Sequence, residues 1–526
     1  RTFIMLRAVV SQKHKVVLIP PVEGSDHLFP SAVPLQIKGE QLLAVPHGVT
    51  ETFLLRRMGF DIPSPILSHY DWCGGKPFEV QRKTCALLTM NERAFVLSGL
   101  GTGKTKTALW SWHYLRSNSA CKKLLVIAPL STLVFTWQRE VFSTIPGTKA
   151  VVLHGTKAQR LKSLNDTDAD IYIINHDGVK VIQEELEARD DIDAVVIDEL
   201  AVYRNPTSKR TKALREFAKT KRIVWGMTGS PIPNAPTDAW AQASIVKPDN
   251  VPRYFTRFRD ELMYRHGPFL WLPKSDAIER AYAALTPSVR FTLDDVAELP
   301  EVIERSIDVE LTKEQEKTYK ALAAHAQTLT AKGDITAVHA GALMMKRPQV
   351  ATGWVYTNDK QVVELGNNIR MQAVLDIITS ASNKVLVFVP FKHALDGIHK
   401  ALEHEKIEHE VVSGDTPSTR RNEIFNLFQN TDKYKVLLAH PQCLAHGITL
   451  TAADTIIWFA PVTSLEIYEQ ANHRIRRVGQ KHKQQIIHLQ STKVEKRIYT
   501  LLRQRKNVQD QLLDLIESVT RDTILK

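Results

Sequence analysis

Ser98-Gly99-Leu100-Gly101-Thr102-Gly103-Lys104-Thr105 lies between an apolar run, Ala94-Phe95-Val96-Leu97, and a helix-prone stretch, Lys106-Thr107-Ala108-Leu109-Trp110. Strand, glycine loop and helix in that order form the signature of a loop that wraps a polyphosphate. Glycines let successive backbone N–H groups turn inward, and the N-terminus of the following helix adds partial positive charge. Ser98 stands where the common pattern has glycine. Gly101, Thr102 and Gly103 are expected to form the cradle, Lys104 to reach the outer phosphates, and Thr105 to offer its hydroxyl to Mg²⁺. The loop alone says nucleoside triphosphate; the rest of the chain must say what the energy is for.

A second element follows downstream. Val195-Val196-Ile197 is an apolar strand that delivers Asp198 and Glu199 to its C-terminal end, the end at which open α/β sheets bind ligands. Asp198 is expected to hold Mg²⁺ through its water shell. Glu199 is expected to orient and deprotonate an attacking water.

Around these motifs, β-branched runs alternate with helical stretches. From Phe78 to about Trp240 the strand candidates are Ala94–Leu97, Leu124–Ala128, Ala150–Leu153, Asp170–Ile174, Ala194–Ile197 and Arg222–Trp225. A second series comprises Val385–Val389, His409–Val412, Lys435–Ala439, Thr455–Phe459 and Gln484–Leu489. Alternation of this kind predicts parallel sheets covered by helices on both faces, here in two tandem α/β lobes. Before them, Val16–Ile19, a pair of strands around Gly39 and a helix from Thr50 to Met58 stopped by Gly59 form a small β-rich module, followed by a Pro63-Ser64-Pro65 linker. The expected domains are an N-terminal accessory module (1–70), lobe one (71–300, with a helical protrusion from about 241), lobe two (301–492, with a helical insertion at about 311–365) and a C-terminal helical brace (493–526). Thr312 is expected to open a helix running to Thr330.

Bulk properties narrow the class. The 526 residues are 43% hydrophobic and 24% charged, ordinary for a globular protein, and carry a formal net charge of +12. That excess suits a polyanionic partner. The four cysteines lack metal-ligand spacing and read as thiols in a reducing compartment. No apolar stretch is long enough to span a membrane, and the basic, apolar opening Arg1–Arg7 is too short for a secretory signal. A cytoplasmic location with no membrane contact is expected.

Further motifs make the reading specific. Gln81 precedes the glycine loop. Ala128-Pro129-Leu130-Ser131-Thr132-Leu133 is followed by Trp137 and Glu140. His154-Gly155 and Asn175-His176-Asp177 come next, and Arg204-Asn205 and Ser208 follow the carboxylate pair. Met227-Thr228-Gly229-Ser230-Pro231-Ile232-Pro233-Asn234 precedes Trp240. Later come Asp295-Val296, Leu299-Pro300, Leu311-Thr312, Gln315 and Tyr319, then Lys384–Phe388, Gly447-Ile448-Thr449-Leu450-Thr451 and Gln470-Ala471-Asn472-His473-Arg474-Ile475-Arg476-Arg477-Val478-Gly479-Gln480. In this order, over roughly residues 75–500, the chain resembles a superfamily-two helicase motor, and within that group the Swi/Snf-related DNA translocases. It departs from the pattern at Leu200-Ala201, where many relatives carry Ala-His, and at Thr449, where Asn is common.

The resemblance implies two RecA-like lobes with ATP and Mg²⁺ between them, adenine read by Gln81, and arginines from lobe two at the γ-phosphate. A dissociative phosphoryl transfer needs such positive charge. Arg477 is expected to be the finger and Arg474 its partner, on one face if their segment is helical. Thr228, Ser230 and Gln470 would couple nucleotide state to motion. Ser131, Thr132, Gly155, Asn175, Lys392, Gly447 and Thr449 would grip the phosphates of one strand without reading bases. Trp137 reads as a packing residue rather than a base stacker. Lys209, Arg210 and Lys212 are either DNA-facing or solvated charges. The expected function is an ATP-hydrolysing translocase on duplex DNA that remodels DNA or protein–DNA complexes. A strand-separating DNA or RNA helicase and a nucleic-acid clamp with weak ATPase stay open. Duplex DNA is the expected partner, the N-terminal module a possible protein dock, and the chain a monomer. A compact build without chromatin-reading modules suits a bacterial or phage, nucleoid-associated setting.

Overall fold

The computed structural model describes residues 8–22, 24–37, 39–267, 270–296, 299–331, 347–356, 362–366, 368–444, 448–477 and 479–524. Gly447 and most of the stretch from 332 to 361 lie outside them. The chain divides into two units, Arg1–Val296 with Gln509–Lys526, and Ala297–Val508.

The first unit begins with the small module. Strands β1 (Val9–Ser11), β2 (Val16–Ile19), β3 (Val33–Ile37) and β4 (Glu40–Pro46) pair antiparallel in the order β1-β2-β4-β3. Gly39, at φ +87°, makes the turn between β3 and β4, a conformation that costs a residue without Cβ little. Period-two alternation turns Val17, Ile19, Leu43 and Val45 to one face, where they pack with Leu55, Phe60 and Ile62. The helix Val49–Arg57 ends before Gly59, which sits at φ +94°. The Pro-Ser-Pro segment is shorter as a linker than the sequence suggests. Pro65 opens the helix Pro65–His69, where its missing N–H costs nothing.

The large sheet of this unit uses β5 (Arg93–Val96), β6 (Lys123–Ala128), β7 (Ala150–Leu153), β8 (Ile171–Asn175), β9 (Ile192–Ile197) and β10 (Ile223–Met227). A hairpin, β11 (Met263–Arg265) with β12 (Trp271–Pro273), follows, then the two-residue β13 (Ser288–Val289). The sheet is parallel throughout, in the order β13-β5-β10-β9-β6-β8-β7. Both faces are buried. Ala94, Val96, Leu124, Val126, Ile171, Ile173 and Val196 belong to one core cluster, and the alternate residues Phe95, Leu125, Ile127, Tyr172, Ile174, Val195 and Ile197 are equally inaccessible. Double burial explains why these strands read as unbroken apolar runs.

The second unit carries a six-stranded parallel sheet built from β14 (Val302–Asp308), β17 (Lys384–Phe388), β18 (His409–Val412), β19 (Val436–Ala439), β20 (Ala453–Trp458) and β21 (Gln484–Gln490), in the order β14-β21-β20-β17-β19-β18. A separate hairpin pairs β15 (Trp354–Tyr356) with β16 (Val362–Glu364). Thr312 opens the helix Lys313–Ala331, its hydroxyl accepting from the Gln315 amide at 3.2 Å. Two parallel α/β sheets and a small antiparallel one are therefore the architecture that the sequence predicts. The region read as mainly helical from 241 is more mixed. It supplies β13 to the first sheet and β14 to the second, besides two hairpins. The helix Lys493–Ile524 is divided between the units at Val508.

Candidate active site

Parallel order places the C-terminal ends of β5 to β10 along one edge of the first unit's sheet. The glycine loop leaves β5 and enters the helix Lys104–Ser117, with Gly101 at φ +82° and Gly103 at φ +79°. A Cβ on Gly103 would stand 2.1 Å from Gln81 Nε2, so loop and glutamine are fitted to one another through a missing side chain. Gln81 is buried. Its Oε1 accepts from the Phe78 amide at 2.8 Å and its Nε2 donates to Thr102 O at 3.5 Å. Thr102 in turn donates to Gly99 O at 2.9 Å. Lys104 Nζ donates to Ser98 O (2.9 Å) and Gly99 O (3.0 Å), which holds the ammonium at the mouth of the loop. Thr105, half-buried, is the second residue of the helix. These features fit a triphosphate: inward-turning backbone, a positioned cation, and a helix N-terminus.

Asp198 and Glu199 follow β9, next but one to β5 in the sheet. Asp198 Oδ1 accepts from the Glu199 amide at 3.1 Å and Oδ2 from Trp137 Nε1 at 3.0 Å. Burial pushes the Asp198 carboxyl up, while Trp137, the Lys104 ammonium and the Glu199 amide pull it down. Lys104 and Asp198 are thus brought into one field. Magnesium is commonly held by one or two carboxylates with substrate phosphates and waters, so Asp198 and Thr105 are a sufficient donor set. No group of three or more His, Cys, Asp or Glu able to hold a metal occurs among the described residues. Glu199 has φ +53°, a left-handed backbone unusual for a residue with a side chain, at the sharp turn into Leu200–Tyr203. Such strain clusters at functional sites.

Between these loops, β10 delivers Thr228 and Ser230. Thr228 N donates to Val96 O at 3.0 Å, and its Oγ1 accepts from the Ser230 amide at 3.2 Å. Ser230 Oγ lies 3.5 Å from Gln509 Nε2.

The other half of the sheet carries the expected strand contacts. Ser131 and Thr132 follow β6, Asn175 ends β8 and Gly155 follows β7. Ser131 and Gly155 are exposed, and Gly155 turns at φ +93°. Thr132 is buried, and both its hydroxyl and its amide donate to Pro129 O at 2.9 Å, so neither donor is presented to a ligand. Asn175 Oδ1 is buried without a hydrogen-bond partner.

In the second unit, Lys392 is exposed and ion-paired with Asp415. The helix Leu465–Asn472 ends before the arginines, so the helical segment on which the one-face expectation depended is absent there: Arg474 lies in a turn and Arg477 in the bend that follows. Arg474 is 1% exposed, with Nε on Gln470 O at 2.8 Å and Nη1 on Ile448 O at 3.0 Å. Arg477 is more open and donates from Nη1 to Thr449 Oγ1 at 3.2 Å. Burial lowers its guanidinium to about 10. Gln470 is buried. Sequence reading missed two things: that Trp137 donates to Asp198, and that Glu199 is left-handed. Only the first had a signal, a buried indole being a donor that needs an acceptor.

Comparison with known proteins places the chain in a family. The family described as "SNF2-related domain" matches residues 87–352, and "Helicase conserved C-terminal domain" matches residues 369–479. The chain is 27% identical over 401 residues to the putative protein p41 of Acyrthosiphon pisum secondary endosymbiont phage 1, covering 73% of this chain and 85% of that one. It is 25% identical over 446 residues to the uncharacterized ATP-dependent helicase MG018 of Mycoplasma genitalium, covering 81% of this chain but only 41% of the longer relative. A SWI2/SNF2 ATPase core from Sulfolobus solfataricus, solved in complex with dsDNA, is 22% identical with a TM-score of 0.42, over 85% of this chain and 95% of that one.

Proposed function

The chain belongs to the SNF2-related family of ATP-dependent helicases, and we propose that it is a motor that hydrolyses ATP to move along duplex DNA and to remodel DNA or the proteins bound to it. The observation that carries the reading is the order of loops along the first sheet. Nucleotide loops follow β5, β10 and β9, and candidate strand contacts follow the adjoining β6, β8 and β7. These three consecutive strands are hydrogen-bonded neighbours, so the loops after them form one continuous row along which the backbone of a single nucleic-acid strand is proposed to lie. Backbone and small polar side chains dominate that row, which suits grip without base reading.

In the proposed cycle, Lys104 and the glycine loop bind the phosphates, Asp198 and Thr105 hold Mg²⁺, and Glu199 takes a proton from the attacking water. Mg²⁺ held by Asp198 and Thr105 would supply charge neutralisation to the phosphates. Arg477, with Arg474 bracing its segment, supplies guanidinium charge to the leaving phosphoryl group. Thr228, Ser230 and Gln470 transmit nucleotide state. Lys392, Gly447 and Thr449 add strand contacts from the second unit. The test is displacement of a third strand from a triplex, run beside separation of a labelled duplex. ATP-dependent triplex displacement without duplex separation, lost in Lys104→Ala, is expected. Duplex separation at a comparable rate would make the chain an unwinding helicase instead.

A further inference from the structure

Trp137 joins the two halves of the sheet edge. It lies in a π-helical turn, Leu133–Gln138, that continues directly from Ser131-Thr132 after β6, whereas its hydrogen-bond acceptor follows β9. Strands β6 and β9 are direct neighbours, and the Asp198 amide donates to Ile127 O of β6 at 2.8 Å. The boundary between nucleotide loops and strand-contact loops therefore falls at this one pair of strands, and Trp137 crosses it.

The chemistry of the contact is specific. Trp137 is 0% exposed and packs in the same core as Leu133, Val141 and Ile145. Packing alone asks nothing of its nitrogen. An indole N–H is a donor only, and when buried it needs an acceptor. Trp110, Trp225 and Trp240 use the carbonyls of Cys73, Asn91 and Pro252, Trp458 uses the side-chain amide oxygen of Asn472, and Trp112 Nε1 is buried with no hydrogen-bond partner. Trp137 uses a carboxylate oxygen, which makes the bond charge-assisted and more directional. With Glu199 N on Oδ1 and Trp137 on Oδ2, both oxygens of Asp198 are held, which fixes the plane of the carboxylate and leaves each oxygen a lone pair for metal-bound water. Local π-helical geometry is rare and concentrates at functional sites.

We propose that Trp137 is a positioning residue: it orients Asp198 for the Mg²⁺–nucleotide complex and ties that carboxylate to the Ser131-Thr132 loop, so that contact with a nucleic-acid strand is felt at the metal. This rests on the motor reading above. The pair Trp137→Phe, which keeps an aromatic ring and removes the donor, and Trp137→His, which can restore one, tests it in the full chain. Mg²⁺·ADP binding is measured by calorimetry with and without duplex DNA, and folding is checked by circular dichroism. The expected result is that Trp137→Phe raises the Mg²⁺ concentration for half-maximal ADP binding on the order of tenfold, removes the effect of duplex on that affinity, and is partly rescued by Trp137→His. A folded Trp137→Phe with the Mg²⁺ requirement and duplex effect of the unaltered chain overturns the proposal and leaves the motor reading intact. A chain whose Trp137→Phe raises the Mg²⁺ requirement, but whose unaltered form shows no duplex effect on ADP or on turnover, keeps the orienting role and defeats both the relay and the motor. Should both variants fail to fold, the unaltered chain still tests whether the Trp137 indole stands beside the metal, as the proposal requires. Mn²⁺·ADP is expected to broaden an indole N–H resonance among those of its nine tryptophans, and an unbroadened set overturns the assignment.

Discussion

Glu199 shows what residue chemistry contributes and what it hides. The carboxylate pair after an apolar strand was legible as Asp-Glu. The left-handed φ of +53° was not, because no local residue announces it. The turn is imposed by β9 ending against β6 and by the buried segment Leu200–Tyr203 that follows. Glu199→Gln should keep nucleotide binding and lower turnover by about 10²–10⁴-fold, the usual share of a general base; single-turnover hydrolysis beside ADP binding checks it. Buried histidines set a pH response. His488 is buried with Nε2 2.7 Å from Tyr468 Oη, and burial, with the Arg503 charge, lowers it from 6.5 to about 4. Its folded form stays neutral while the unfolded form takes up a proton below 6.5. Stability is therefore complete above that pH and falls as pH drops toward 4, by up to about 1.4 kcal/mol per unit. Melting temperatures between pH 7 and pH 4 should decline, and His488→Gln should flatten the decline.

At the scale of elements, the strands were readable because double burial leaves apolar runs with little ambiguity, and their bounds fall within a residue or two of expectation. Elements that escaped are those with weak apolar signals. β13 is only two residues long, and β14, Val302–Asp308, alternates charge at the edge of its sheet with most of its residues exposed. Tertiary pairing with β5 and β21 makes them strands. The arginine segment escaped for another reason: its helix stops at Asn472, and the fold then spends Arg474 on the carbonyls of Gln470 and Ile448. A buried ion pair links elements of the second unit that no sequence pattern connects. Arg370 Nη1 and Nη2 meet Glu495 Oε1 and Oε2 at 2.8 and 3.1 Å, and Nη1 also donates to Phe459 O at 2.8 Å. Removing one member leaves the other charge buried and unpaired. Arg370→Met should destabilise the second unit by roughly 3–5 kcal/mol, and adding Glu495→Leu should recover much of that; urea unfolding of the two variants tests the difference.

For the whole molecule, charge and family together make the partner question electrostatic. A net charge of +12 is sequence-level evidence for a polyanion and says nothing of which one. If the row of loops after β6, β8 and β7 grips phosphates, binding must release counterions. Duplex affinity should then fall on a log–log salt plot with a slope of about −0.9 per phosphate neutralised, with little dependence on base sequence. Fluorescence anisotropy over a salt series with two unrelated duplexes checks both statements. Among the described residues no helix is long and apolar enough to cross a membrane. The most direct measurement of the central claim is the ATPase rate of the full chain with no nucleic acid, duplex DNA, single-stranded DNA and RNA side by side. The account predicts strong stimulation by duplex DNA, abolished in Lys104→Ala. A rate that no nucleic acid raises, or that only RNA raises, would contradict it.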